Sequence, residues 1–317
     1  MQKPIDVVTG GAGFIGSHLT RALLARGDSV RVIDDFSNGK RENLRELEKS
    51  YPDALEVHEV DIRDDKRLAP LFEGVRSVFH QAAVPSVQRS IEDPLNSCTA
   101  NVEGSLKVLL AARDAGVSKV VYASSSSVYG DTEVLPKHEG LPVNPMSPYA
   151  ITKTAAEMLA KIFPKIYGLE TVGLRYFNVF GPYQDPESQY AAVIPRFITR
   201  LLAGEPPIIY GDGEQTRDFT FIENVVSANL LAAESDAAGV SVNVACGDRF
   251  SLNELAKILN DILGTDLAPI YEEARKGDVR DSQADVSLAK KEIGFEPLVS
   301  FEEGLRRTAA WYRDCAS

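Results

Sequence analysis

The stretch VVTGGAGFIGSHL, residues 7–19, constrains the fold more than any other part of the chain. An apolar run of strand type passes directly into Gly10, Gly13 and Gly16 at GxxGxxG spacing, and a helical pattern begins at once. Glycine lets such a turn close and lets backbone approach a diphosphate, while a helix amino end offers free N–H groups and the positive end of its dipole. Taken alone, the motif also fits a tight β-to-α turn with no ligand. Asp34 closes the run SVRVID roughly 20 residues past the glycines, where an acid can accept hydrogen bonds from adenosine ribose hydroxyls. Asp34 and Asp35 together repel a 2′-phosphate, which favours NAD over NADP, although Lys40 and Arg41 follow closely.

The runs IDVV, SVRVID, ALEVHEVDI, SVFHQAA and KVVYASS read as buried strands separated by helical patterns. In the first of those helices Leu19, Ala22 and Leu23 share a face that stops at Gly27. Repeated βαβ units predict an α/β fold, a doubly wound parallel sheet with its crevice at the carboxyl ends of the strands. Asp61 and Ile62, after the third strand, are placed to meet adenine. Gln81, Ala82 and Ala83, after the fourth, lie where the middle of a dinucleotide passes. Beyond about Val172 the regularity breaks into RYFNVFGPYQDP, and helices AAVIPRFITRLLAG and LNELAKILNDILG indicate a smaller α/β lobe. FTFIENVVSANLLAAESD and VSVNVACG return to the first lobe, so the boundary is interleaved: 1–175 with 219–246, and 176–218 with 247–317.

The formal charge is -12, from 46 acidic and 34 basic side chains. It argues against a nucleic-acid or anionic-lipid face and leaves any anionic ligand dependent on local arginines. Cys98, Cys246 and Cys315 form neither a disulfide framework nor a zinc pattern, and His18, His58, His80 and His138 are scattered, so no metal site is expected. The opening MQKPIDVVTG carries no leader of signal type, and no run of 18 apolar residues follows; the expectation is a cytoplasmic protein without a membrane span.

MSPYAITKTAAE sets Tyr149 and Lys153 at i and i+4 on a helix opened by Pro148, so the two side chains share a face. A phenol has a pKa of about 10, which a neighbouring ammonium lowers by stabilising phenolate. The pair is then a general base for an alcohol or sugar hydroxyl. YASSSSVYG brings hydroxyls to the same crevice from the end of the fifth strand.

TGGAGFIG, SSSSVYG, YAITK, RYFNVFGP and GDGEQTRDF together resemble the extended short-chain dehydrogenase/reductase family and, within it, the nucleotide-sugar epimerases. The resemblance spans essentially the whole chain. It implies a Rossmann domain with resident NAD, a lobe that grips a nucleoside diphosphate, and a homodimer. Tyr149 is then the base, Lys153 tunes it and holds the nicotinamide ribose, and Ser125, or Ser124 one place earlier, bonds the reacting hydroxyl. The cofactor site it implies comprises Gly10, Gly13, Phe14, Ile15, Gly16, Asp34, Asn38, Asp61, Ile62, Gln81, Ala82, Ala83, Asn101, Tyr149, Lys153 and Tyr176. The dimer it implies pairs helices around residues 101–115 and 149–163, to which apolar Val108, Leu109, Met158, Leu159 and Ile162 fit, as they also fit a core.

The UDP-sugar grip implied in the same way uses Asn178, the backbone around Ala192 and Val193, Tyr210 beside the base, Arg217 and Arg275 on the phosphates and Asp278 near the ribose. Surface ion pairing, as of Arg217 with Glu214 or Asp218, is the other reading of these arginines. Ser86 and Ser126 fall near the sugar, Ser86 equally as a helix cap. A 4,6-dehydratase of this family carries an acidic pair where this chain has Ser126 and Ser127, so hydride returned to the 4-keto sugar's other face inverts C4. Ser282 corresponds to the position that closes the hexose pocket, and a small residue there points to UDP-GlcNAc and UDP-GalNAc, with UDP-Glc and UDP-Gal as further substrates. The alternatives are a UDP-glucuronate 4-epimerase, a decarboxylase or dehydratase on the same fold, and a protein that senses NAD without turnover.

Overall fold

The computed structural model describes residues 4–186, 192–274 and 279–316; Arg275 and Asp278 lie outside the described residues. Seven strands, β1 (Ile5–Thr9), β2 (Ser29–Asp34), β3 (Leu55–Glu59), β4 (Val75–His80), β5 (Lys119–Ser125), β6 (Glu170–Tyr176) and β7 (Val240–Val244), form one sheet in the order β3-β2-β1-β4-β5-β6-β7. Every pairing in it is parallel. The order reverses between β1 and β4, which opens a crevice at the carboxyl ends of those strands.

A parallel sheet must be covered on both faces, and alternation along a strand sends successive side chains to opposite sides. Val7 packs with one buried cluster and Val8 with the other. Of helices α1 (Phe14–Arg26), α2 (Ser105–Asp114), α3 (Pro148–Tyr167), α4 (Val193–Leu202), α5 (Ile222–Glu234), α6 (Leu252–Leu263) and α7 (Phe301–Ala316), the first three and α5 supply the cover. On the first face stand Val78, Val120 and residues of α2 and α3, including Val108, Leu109 and Phe163. Val108 and Leu109 are therefore core, and the outer surface of the α2–α3 layer is made by other residues. On the second face Leu19 and Leu23 of α1 meet Val225 and Ala228 of α5. Helix α1 stops where expected, at Gly27, whose φ of 93° is in the left-handed region and whose N–H reaches the Leu24 carbonyl.

After β6 the chain leaves the sheet, returns for α5 and β7, and leaves again. The two excursions form the carboxyl-terminal lobe, built on α4, α6, α7 and short two-stranded ribbons. Its Phe197, Leu255 and Leu305 share one continuous apolar cluster with Val8 and Leu19 of the sheet side. One difference from the sequence reading concerns β6: where the pattern predicted a break at about Val172, a strand runs to Tyr176. Two residues hide it. Gly173 has no side chain because a Cβ there would lie 2.5 Å from the Tyr122 hydroxyl, and Arg175 is a buried charge paired inside the protein.

Candidate active site

The glycine turn forms one wall of a cleft of about 890 Å³ at the switch point. Gly10 has φ 69°, and any Cβ there would lie 2.7 Å from the Ala82 nitrogen; at Gly16 one would lie 2.1 Å from the Gly10 carbonyl oxygen. Gly13 caps α1 without any side-chain hydrogen bond, so the helix amino end faces the cleft. Asp34, 6% exposed, accepts from the Ala12 and Phe36 N–H groups at 2.9 and 2.8 Å. Burial raises its pKa and these two bonds oppose the rise. The acid thus shapes the turn as well as lining the cleft. A glycine cradle that side chains would fill, a free helix amino end and an acid at the ribose position fit a dinucleotide.

Phe14, Ile15, Asn38, Asp61, Ile62, Gln81, Ala82, Ala83, Ser86, Tyr176 and Ala192 line the same cleft. Asp61 is bound twice by Arg63, which holds its carboxyl below the usual range. Gln81, Tyr176 and Asn229 bond one another on the floor. Asn101 is different: it is buried behind the wall, where it holds the Val84 N–H at 2.7 Å and Thr152 at 3.1 Å. Ser86 caps a short helix by accepting from the Arg89 N–H, at a φ of 102° that side chains rarely adopt. It is both a cap and part of the cleft.

Ser147 caps α3 and Pro148 opens it, so Tyr149 and Lys153 face the cleft together. The Lys153 nitrogen lies 5.8 Å from the centre of the Tyr149 ring and donates to the Ala123 carbonyl at 2.9 Å. Burial pushes Lys153 down to about 8, with Glu157 opposing. Tyr149 departs from the sequence reading: burial raises its pKa, and the opposing influence is a hydrogen bond with Ser125. Desolvation disfavours the charged phenolate in this environment. The two candidate serines have distinct partners. Ser124 lines the cleft and donates to Glu157, whereas Ser125, at the end of β5, stands just outside the cleft lining, beside Tyr149, and accepts from Ser127. Ser126 begins the single turn after β5 and does not line the cleft.

The expected diphosphate residues stand on the carboxyl-terminal lobe. Arg217, on the ribbon strand Thr216–Arg217, donates to the carbonyls of Thr216 and Arg280. Ser282 is 6% exposed, and its N–H bonds the Thr216 carbonyl at 3.1 Å. Arg217 and Ser282 are thereby neighbours. Tyr210 lies under Arg196, at 5.5 Å, and Asn178, at φ 32°, donates to the Asp218 carbonyl. Val193 is the first residue of α4.

Sequence reasoning named Asp218 only as a surface ion partner of Arg217 and passed over its structural part. It is fully buried, pushed up to about 7 by that burial, and accepts the N–H groups of Cys246, Gly247 and Ala284, so it ties the Arg217 ribbon to the Ser282 segment. Its position directly after Arg217 was the available signal. Glu157, four residues after Lys153, was passed over too. No group of three or more His, Cys, Asp or Glu side chains suited to a metal occurs among the described residues.

Comparison with known proteins agrees with this fold. Residues 7–245 match the model of the NAD dependent epimerase/dehydratase family. The solved UDP-N-acetylglucosamine 4-epimerase from Methanobrevibacter ruminantium, in complex with UDP-N-acetylmuramic acid, superposes with a TM-score of 0.93 at 43% identity, over 99% of this chain and 100% of that one. The UDP-glucose 4-epimerase of Mycolicibacterium smegmatis is 40% identical over 310 residues, 97% of this chain and 98% of its own. A UDP-glucuronate 4-epimerase of Thermodesulfobacterium geofontis is 36% identical over 317 residues, with 97% and 96% covered.

Proposed function

On the premise that the chain belongs to the NAD dependent epimerase/dehydratase family, we propose that this isomerase inverts C4 of a UDP-hexose, UDP-GlcNAc and UDP-GalNAc first and UDP-Glc and UDP-Gal beside them. The observation that carries the reading is the Tyr149 and Lys153 pair standing on the cleft that the glycine turn and Asp34 prepare for a dinucleotide, with Ser125 beside the phenol. When bound, NAD supplies the hydride acceptor and donor at C4 and a positive ring charge that favours phenolate. Tyr149 takes the proton of the C4 hydroxyl and later returns it, and Ser125 holds that oxygen. Lys153, charged at neutral pH and beside the phenol ring, would hold the cofactor ribose. Arg217, with Arg275, binds the diphosphate, leaving the hexose free to turn between the two hydride transfers.

Two features support the substrate. Ser126 and Ser127 provide hydroxyls where elimination of water needs acids, and Ser127 is already engaged with Ser125. Ser282, small and buried beside the Arg217 ribbon, supports an acetamido sugar through the family resemblance, which places it at the edge of the hexose pocket. Glucuronate inversion is the second reading, favoured by the uronate epimerase among its relatives. We also read the protein as a cytoplasmic homodimer: its three cysteines are unpaired, and α3 presents Ile151, Met158, Ile162 and Ile166 along one exposed stripe. No helix among the described residues is long and apolar enough to cross a membrane.

The test is to incubate the protein separately with UDP-GlcNAc, UDP-Glc and UDP-glucuronate, without added NAD, and identify products by NMR. Inversion at C4 is expected, with the acetamido sugar at least as good a substrate as the plain one. Inactivity on UDP-GlcNAc discards the Ser282 argument, and release of carbon dioxide or of a 4-keto sugar favours a decarboxylase or dehydratase.

A further inference from the structure

Behind the Tyr149 and Lys153 face lies a buried ion pair that the chemistry above leaves without a task. Ser124 of β5 and Arg175 of β6 are register partners, and Glu157 of α3 comes down on both. The Arg175 guanidinium grips the two carboxylate oxygens, at 2.9 Å from Nε and 2.7 Å from Nη2, and the Ser124 hydroxyl donates to Oε1. Its remaining nitrogen donates to the Tyr129 hydroxyl at 2.9 Å, and Tyr129 donates to Asn243 at 2.7 Å. The Asn243 amide in turn holds the carbonyls of Lys137 and Asp285. A buried pair of this kind is weak evidence of stability, because desolvation takes back what attraction gives. Its location argues for a task. Lys153 and Ser125 lie within one or two links of it, and Asp285, beyond Ser282, lies three links away through Tyr129 and Asn243.

The titratable and charged groups that face Lys153 are Tyr149 and Glu157 from its own helix and His80 from β4, which burial keeps neutral. From β5 it meets the Ala123 carbonyl. Glu157 is the anion in this set. We propose that Glu157, fixed by Arg175, is a positioning residue that keeps the Lys153 ammonium charged and in place, and that through Ser124 it orients the end of β5 on which Ser125 stands. The inference rests on the role given to Lys153 above. Without the carboxylate, burial acts on the lysine unopposed and part of the population loses its charge near neutral pH.

The test reads the lysine directly, in resting holoenzyme, so that it does not depend on which sugar turns over. In protein carrying 13C-labelled lysine, the Lys153 signal is assigned by its loss in Lys153→Met and followed by NMR against pH. Glu157→Gln is expected to lower the Lys153 midpoint by about one pH unit, whereas Glu157→Asp, which keeps the charge, leaves it near the wild-type value while the melting temperature falls. Should Glu157→Gln fail to fold, the double variant Glu157→Gln with Arg175→Met removes both charges, a change that buried pairs tolerate better. It is expected to move the midpoint in the same direction, because burial then acts on the lysine without a carboxylate. A folded variant lacking the Glu157 charge whose Lys153 titrates as in wild type overturns the proposal, even if its melting temperature has dropped. Absence of C4 inversion in the wild type bears on the proposed function alone.

Discussion

At the scale of single residues the site is a contest between burial and partners. Tyr149 is desolvated and resists ionisation, Ser125 draws it the other way, and Lys153 stays charged although burial pulls it down to about 8. Tyr149→Phe keeps the ring and removes the group that moves the proton. It is expected to lower kcat by roughly a hundredfold or more, the usual worth of general base catalysis, with nucleotide-sugar binding by calorimetry nearly unchanged. Turnover close to wild type would remove the phenol from the mechanism. The two serines show how fine the distinction is: one position along β5 separates a hydroxyl bonded to Glu157 from one bonded to the phenol.

At the scale of elements, α3 serves two surfaces. Its inner face carries Tyr149, Lys153 and Glu157 at successive i+4 steps, and its outer face carries Met158, 60% exposed, with Ile151, Ile162 and Ile166. Leu95 of the neighbouring helix Pro94–Cys98 is exposed as well, and that helix packs on α3. An apolar stripe of this kind on a 20-residue helix fits a self-complementary interface related by a two-fold axis. Met158→Glu is expected to convert a dimer to a folded monomer, read as a halved mass by light scattering with unchanged circular dichroism. A wild-type protein that is already monomeric at micromolar concentration would set this reading aside.

At the scale of the whole molecule, buried polar groups make stability depend on pH. His80 is fully enclosed between Thr9, at 2.7 Å, and Ser105, at 2.8 Å, and burial lowers its pKa to about 3. The unfolded chain takes up a proton at about 6.5 that the folded chain refuses, so this contribution is present above that pH and is lost as pH falls toward 3. Asp218, raised to about 7, acts in the opposite sense: the folded chain holds a proton the unfolded chain has released, and the contribution fades as pH rises toward 7. The difference between wild type and His80→Gln isolates the first effect. The variant is expected to lose less melting temperature than wild type between pH 7 and 4. Equal acid slopes would show that the imidazole is not what titrates.

The sequence by itself determined the sheet, its crevice and the pairing of Tyr149 with Lys153, because each depends on local spacing: glycines at a turn, period-2 strands, an i+4 helix face. It missed β6, since Arg175 and Gly173 break the apolar pattern that marks a buried strand, and it left Ser124 and Ser125 undivided. Those were decided only when the chain closed on itself. Glu157 reached Arg175 across 18 positions and Asp218 reached Ala284 across 66. Such partners make a buried charge tolerable, and they come from distant segments that no short stretch of sequence brings together.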